Sequence, residues 1–233
     1  MFAHCSRPLR VMLLDDHQFV LDGMGLMLSS HADIEVVGSY LSSQALFAGV
    51  QKLEVDVVVM DYCLRPGEVD GLNLIRALRI RCPQAEVLVL SSLHVPCTVA
   101  LALRCGARGF MGKEMDGGLL PEAIRKVASG QCYLQPAMAN RLNEDGVGVL
   151  NTDTAATSSS RSLNTMISTA RLTVREHEVL RCCLDGMTVT EIAHKFSRSV
   201  KTISAQKQSG FRKLGLRNNN ELFKIRAQLD GWQ

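Results

Sequence analysis

The chain has 233 residues, 46% hydrophobic and 21% charged, with a formal net charge of +3; these are the proportions of folded soluble domains and exclude a disordered or fibrous protein. No apolar run reaches the roughly 18 to 20 residues that a membrane-spanning helix needs, and Met1 to Arg10 carries charges and Pro8 where a signal peptide needs an apolar core, so a cytoplasmic protein without a membrane partner is expected. The charge is unevenly spread, net −2 over residues 1–140 and net +6 over residues 171–233, and the basic end suits a polyanion.

From Arg10 onward, short apolar runs of strand length alternate with longer amphipathic ones. In chain order the pattern reads strand Arg10–Leu14, helix Phe19–Ser29, strand Ile34–Ser39, helix Ser43–Lys52, strand Val55–Met60 and helix Leu72–Arg81. Strand Glu86–Leu90, helix Cys97–Cys105, strand Gly109–Met111 and helix Leu119–Ser129 complete it. Strictly alternating βα units need right-handed crossovers with helices on both faces, so residues 8–139 are expected to form an α/β domain around a five-stranded, doubly wound parallel sheet.

Residues 140–170 lose both periodicities, and Asn151–Ser160 is small and polar. Such a stretch buries too little area to offset its ordering entropy and reads as a flexible linker. Residues 171–233 are helical in pattern: Val179, Leu180 and Cys183 share one face, Ile192, Ala193 and Phe196 a second, Ile203, Phe211 and Leu214 a third. A fourth short helix is expected near Glu221–Leu229, giving a small all-α domain.

The eight cysteines show neither a CxxC pair nor zinc-ligand spacing. They read as reduced, core-packing thiols, with the vicinal Cys182 and Cys183 as the candidate pair for redox sensing.

The chemistry-bearing signal in the first domain is carboxylates at strand ends. Asp15 and Asp16 close the first strand and Asp61 the third, and a doubly wound sheet forms its ligand crevice at such carboxyl ends. Converging like charges call for a cation, and hard oxygen donors favour Mg²⁺. Residues 10–139 then resemble a receiver domain of flavodoxin-like fold: from Asp61 that family has a hydroxyl residue 30 positions on and a lysine 52 positions on, and Ser91 and Lys113 stand there. The resemblance implies that Asp61 accepts a phosphoryl group from a histidine kinase or phosphotransfer protein, assisted by Ser91 and Lys113. It also implies that Asp15, Asp16, Asp61 and the main-chain carbonyl of Cys63 hold Mg²⁺, and that Ser91 and Phe110 act as the switch pair. One departure is Pro66, five rather than four residues past Asp61, so that the loop Arg65–Asp70 is longer than the family's usual one.

In the basic end, Leu172, Thr173, Arg175, Glu176, Glu178, Val179 and Leu180 open a pattern that continues through Gly186, Glu191, Ile192, Ala193, Ser199, Lys201, Thr202 and Ile203 to Lys213, Leu214 and Gly215. It resembles the LuxR-type helix-turn-helix of the NarL/FixJ response regulators, and the run Val200–Lys207 is especially similar to the Rcs capsule-synthesis branch. The resemblance implies that a helix Val200–Leu214, capped by Ser199, enters the major groove of double-stranded DNA. The DNA-facing set is then Lys201, Thr202, Ser204, Ala205, Lys207, Gln208 and Lys213, with Ser204, Ala205 and Gln208 at bases and Lys201 and Lys207 on phosphates. Gln206 replaces a common His, and Gly210 inside the helix is expected to cost about 1 kcal/mol against Ala.

Together these readings describe a response regulator that acts as a DNA-binding homodimer and is not an enzyme. The alternative within regulation is a phosphorylation-independent DNA-binding protein working with an auxiliary partner. A Mg²⁺-dependent phosphohydrolase using Asp15, Asp16 and Asp61 is disfavoured by the basic C-terminal domain.

Overall fold

The computed structural model describes residues 7–65, 67–92, 96–114, 117–144, 172–216, 218–219 and 221–223. Pro66, the linker from residue 145 to 170 and the expected fourth helix beyond residue 223 lie outside the described residues. Those described fall into two compact units, one carrying all five strands and the other the helices of the basic end.

In the first unit the order is β1 (Leu9–Leu14), α1 (Gln18–Ser29), β2 (Ile34–Tyr40), α2 (Ser43–Gly49), β3 (Val57–Asp61), α3 (Gly71–Arg81) and β4 (Glu86–Ser91). Then come α4 (Pro96–Arg104), β5 (Gly109–Gly112) and α5 (Leu120–Ala128), followed by α6 (Pro136–Glu144), within which the division between the units falls after Ala139. The sheet is parallel, in the order β2-β1-β3-β4-β5. The order reverses between β1 and β3, which opens a crevice at their carboxyl ends. Val11, Met12, Leu13 and Leu14 are all fully buried; a strand covered on both faces needs a continuous apolar run rather than an alternating one. Leu21, Met24 and Leu28 of α1 pack with Ala123, Ile124 and Val127 of α5 on one side of this core.

Two boundaries differ from the sequence expectation by more than one residue. The third strand starts at Val57 rather than Val55 because Asp56 is already a junction: its N–H donates to Arg10 O and its carboxylate accepts from Arg10 N, each at 2.9 Å. The second helix stops at Gly49 rather than Lys52, where the N–H groups of Lys52 and Leu53 both turn back onto Gly49 O. The larger departure is α6, which sequence reasoning did not foresee and which runs past 139 into the expected linker. Met138 and Leu142, four apart on its buried face, are 2% and 1% exposed.

Among the described residues the second unit carries α7 (Val174–Leu184), α8 (Val189–Lys195) and α9 (Val200–Leu214). Thr173 with Glu176 and Thr188 with Glu191 form capping boxes at the first two, and Ser199 accepts the Thr202 N–H at the third. Gly215 ends α9 with φ of 69°, a left-handed conformation that glycine adopts without strain. Residues 221–223 are helical, in keeping with the start of a fourth helix. Val179, Leu180, Ile192, Ile203, Phe211 and Leu214 form the core. Cys182 and Cys183 are 0% and 3% exposed within it, and burial pushes the Cys183 thiol up, away from thiolate chemistry. The pair is packing rather than a reactive couple.

Gly210 also differs from expectation. A Cβ there would lie 2.9 Å from Leu180 Cδ1 and 3.2 Å from Leu180 Cγ, so its missing side chain is what lets α9 close onto α7.

Glu176 ties the same two helices. Burial raises its carboxyl, but Lys213 Nζ at 2.7 Å, the Thr173 N–H and Ser209 outweigh this and draw it down from 4.5 to about 2. A depressed carboxyl stabilises the fold above its unfolded value and loses that contribution as pH falls through the folded one. Thermal melts of the full chain should therefore show the C-terminal unit weakening between about pH 4.5 and 2. In Glu176→Gln that acid limb should flatten and stability at neutral pH should drop; an unchanged limb would show that Glu176 is not its source.

Candidate functional site

At the switch point, Asp15 and Asp16 follow β1, Asp61 closes β3, Ser91 closes β4 and Lys113 follows β5. Register sets Asp61 beside Leu90 and Ser91 beside Gly112, while Lys113 N donates to Ser91 O at 3.0 Å, so the strand ends converge. Asp15, Asp16, Asp61 and Ser91 are 1%, 6%, 6% and 1% exposed. Lys113 Nζ bridges the group, 2.6 Å from Asp15 Oδ2 and 2.9 Å from Asp61 Oδ2. Burial pushes the Asp61 carboxyl above its ordinary range, and the Lys113 ammonium offsets this only in part. Lys113 is itself held protonated: burial works against its charge, but its two carboxylate partners prevail.

Of the residues expected to hold a cation, Asp15 and Asp16 stand together, Asp61 joins them through Lys113, and the Cys63 N–H donates to Asp61 Oδ1 at 3.2 Å. His17 was missed. Its Nδ1 lies 3.1 Å from Asp15 Oδ1 and 3.0 Å from Asp16 Oδ1, and these three residues offer ligand atoms all within 4.8 Å of one another. The only sequence signal for it is adjacency to the acidic pair. Asp16 Oδ1 is buried and makes no hydrogen bond, although His17 Nδ1 lies 3.0 Å away; a buried hard oxygen of this kind is what a metal ion would satisfy. The donor set therefore fits metal coordination.

Phe110 is fully buried on β5, its ring centroid 6.0 Å from that of the equally buried Tyr62 beside Asp61. The long loop that follows is held rather than free. Gly71 N donates to Tyr62 O at 2.8 Å, Leu64 N to Asp70 Oδ2 at 3.3 Å, and Ser43 N to Glu68 Oε2 at 2.7 Å.

In the second unit, α9 turns Ile203, Gly210, Phe211 and Leu214 inward, which leaves Lys201, Ala205, Gln208 and Arg212 exposed on the opposite side. Arg212 was absent from the expected DNA-facing set, although helical periodicity counted from Ile203 places it with Ala205 and Gln208. Ser204, Lys207 and Gln208 line a groove of about 530 Å³ with Val189, Phe211 and Asn218. Lys207 Nζ lies 5.4 Å from the centre of the Phe211 ring, so this residue flanks the outer face. Thr202 is half-buried, and its N–H and hydroxyl meet Ser199. Lys213 is committed to Glu176.

A 2-1-3-4-5 parallel sheet with acids at its switch point, and a capped three-helix unit with one basic exposed helix face, define a receiver coupled to a helix-turn-helix. Residues 11–125 match the response regulator receiver domain, and residues 170–225 the bacterial regulatory proteins of the luxR family. The chain belongs to the two-component response regulators that join these two domains, a family of transcriptional regulators rather than enzymes. It is 30% identical to the transcriptional regulatory protein RcsB of Escherichia coli K12, over 91% of this chain and 90% of that one. It is 32% identical to UhpA of the same organism over 95% and 98%. Among solved structures, RcsB of Salmonella typhimurium superposes with a TM-score of 0.75 at 30% identity, covering 96% of this chain and 99% of that chain. RcsB bound to promoter P1flhDC in the presence of phosphomimetic BeF3− superposes with a TM-score of 0.74 at 28% identity, covering 95% and 100%. No helix among the described residues is long and apolar enough to cross a membrane.

Proposed function

We propose that Asp61 is the phosphoacceptor and that its acyl phosphate governs binding of promoter DNA by a dimer of this chain. The observation that carries this reading is Lys113 bridging Asp15 and Asp61 at the switch point of the sheet. In the transfer, an Asp61 oxygen bonds to phosphorus while the P–N bond of a phosphohistidine breaks and its electron pair stays on the imidazole nitrogen. The chain's part is to position groups and neutralise charge. Asp15, Asp16, Asp61 and the Cys63 carbonyl would hold Mg²⁺, which when bound supplies charge neutralisation for the phosphoryl oxygens. Lys113 favours the ionised form of Asp61 against its burial, then pairs with the new phosphoryl group. Ser91 donates its hydroxyl to that group, and Phe110, already turned inward against Tyr62, is the aromatic whose packing responds. The receiver is assigned to residues 8–139, the linker to residues 140–170 and the DNA-binding domain to residues 171–233.

A small phosphodonor with Mg²⁺ should add one phosphoryl group to the full chain, detected as a mass gain that hydroxylamine removes. No gain, or a gain at another residue, would overturn the assignment.

On the DNA side, Ala205 and Gln208 are assigned to base edges and Lys201 and Arg212 to phosphates, with Ser204, Thr202 and Lys207 at the rim and Lys213 holding α9 in place through Glu176. Each phosphate contact removed should weaken binding for all sequences alike and reduce the salt slope of log K by about 1. Lys201→Ala and Arg212→Ala are expected to do so, read by fluorescence anisotropy across a salt series. A slope unchanged in both would move the DNA to another face.

A further inference from the structure

The loop after Asp61 does more than accommodate an extra residue. Its base is closed by Gly71 N to Tyr62 O, and its far side is fixed where Glu68 Oε2 accepts both the N–H and the hydroxyl of Ser43, at 2.7 and 2.5 Å. Between these anchors the chain sends Arg65 back over the crevice. Its Nη2 donates to the Asp16 main-chain O at 2.8 Å, and its Nε lies 3.3 Å from Asp16 Oδ2. The two partners differ sharply in exposure: the Arg65 side chain is 70% exposed and that of Asp16 8%. A solvent-side cation thus lies on a buried carboxylate that also has an unsatisfied oxygen.

Charge counting gives this contact a meaning. Asp15, Asp16 and Asp61 bring three negative charges, and Lys113 neutralises one. The remainder matches a divalent cation, but with Arg65 in place it does not, and one of the two Asp16 oxygens is engaged. We propose that Arg65 is a displaceable counter-ion that competes with Mg²⁺ for Asp16, so that this loop sets how readily the crevice takes up metal. The inference rests on the reading of Asp15, Asp16 and Asp61 as the Mg²⁺ site. An exposed guanidinium loses little on leaving, because water replaces its partner, whereas a dication gains from all three carboxylates. Arg65 therefore tunes affinity without preventing loading, and as a positioning residue it need not touch the phosphoryl group.

The test is calorimetric titration of the full chain with MgCl₂ at fixed ionic strength, for wild type, Arg65→Gln, Arg65→Lys and Asp16→Asn. Arg65→Gln should bind Mg²⁺ roughly three- to tenfold more tightly than wild type, Arg65→Lys should stay near wild type, and the gain should shrink as salt rises. In the Asp16→Asn background the Arg65 substitution should make no difference, because the group competed for is gone. Equal affinities within twofold, or weaker binding by Arg65→Gln, would overturn the proposal while leaving the metal site standing. Absence of Mg²⁺ binding by wild type and Arg65→Gln alike would overturn the metal reading and this inference with it. Arg65 is surface-exposed, and circular dichroism serves to verify that each variant is folded.

Discussion

Asp61→Asn should take up no phosphoryl group from either a small phosphodonor or a phosphohistidine protein, and its DNA affinity should no longer respond to donor and Mg²⁺. The substitution is nearly isosteric, and the amide oxygen can still accept the Cys63 N–H, so the backbone of the crevice has no reason to move. What disappears is the nucleophilic carboxylate and one of the two partners of Lys113, whose other partner, Asp15, remains at 2.6 Å. The expected stability change has the opposite sign to most active-site mutations. The Asp61 carboxyl is raised by burial. A raised acid stabilises the fold below its unfolded value and loses that contribution as pH rises through the folded one, so at neutral pH its charge is a burden in metal-free buffer. The melting temperature of the receiver in Asp61→Asn should equal or exceed that of wild type without Mg²⁺, and only wild type should gain from added Mg²⁺. If wild type and Asp61→Asn bind one operator equally with and without donor, Asp61 is not the switch and a regulator driven by an auxiliary partner replaces this account.

Much of this crevice was legible because its parts are coupled to the strand pattern. An apolar run that ends in Asp places a carboxylate at the sheet's carboxyl edge whatever the details of the helices, whereas Ser91 and Lys113 were legible only through the resemblance to receiver domains, whose spacing from Asp61 they meet. Contacts that cross from loop to loop were not legible. Arg65 on Asp16 and Glu68 on Ser43 arise from three-dimensional closure, which no periodicity encodes, whereas His17 is a local neighbour of the two acids, signalled by adjacency alone. The helix α6 escaped for a related reason: Met138 and Leu142, the buried residues among those described for it, give little periodic signal amid polar neighbours. On α9 the omission of Arg212 was avoidable, since counting turns from Ile203 finds it, whereas the diversion of Lys213 to Glu176 needed the fold of α7.

Gly210 shows the two levels in conflict, and the structure decides between them. Considered as a residue within a helix, glycine costs about 1 kcal/mol against alanine, and Gly210→Ala ought to stabilise α9. Considered as packing, the new methyl would meet Leu180 at 2.9 and 3.2 Å. Leu180 is 4% exposed and belongs to the hydrophobic core of this unit, so it has little room to yield, and overpacking a core commonly costs about 1–3 kcal/mol. The packing term exceeds the propensity term, and in a domain this small, whose total stability is only a few kcal/mol, the net loss is functionally large. Gly210→Ala should lower the melting temperature of the C-terminal unit by several degrees, and Gly210→Leu should abolish DNA binding while Asp61 still accepts a phosphoryl group at the wild-type rate. The pairing with Leu180→Ala separates the causes. If the clash is responsible, the double variant Leu180→Ala, Gly210→Ala should be more stable than the sum of the two single losses predicts, because each change makes room for the other. If instead Gly210→Ala alone raises the melting temperature, Leu180 repacks without cost and the glycine is a simple weakness of the recognition helix.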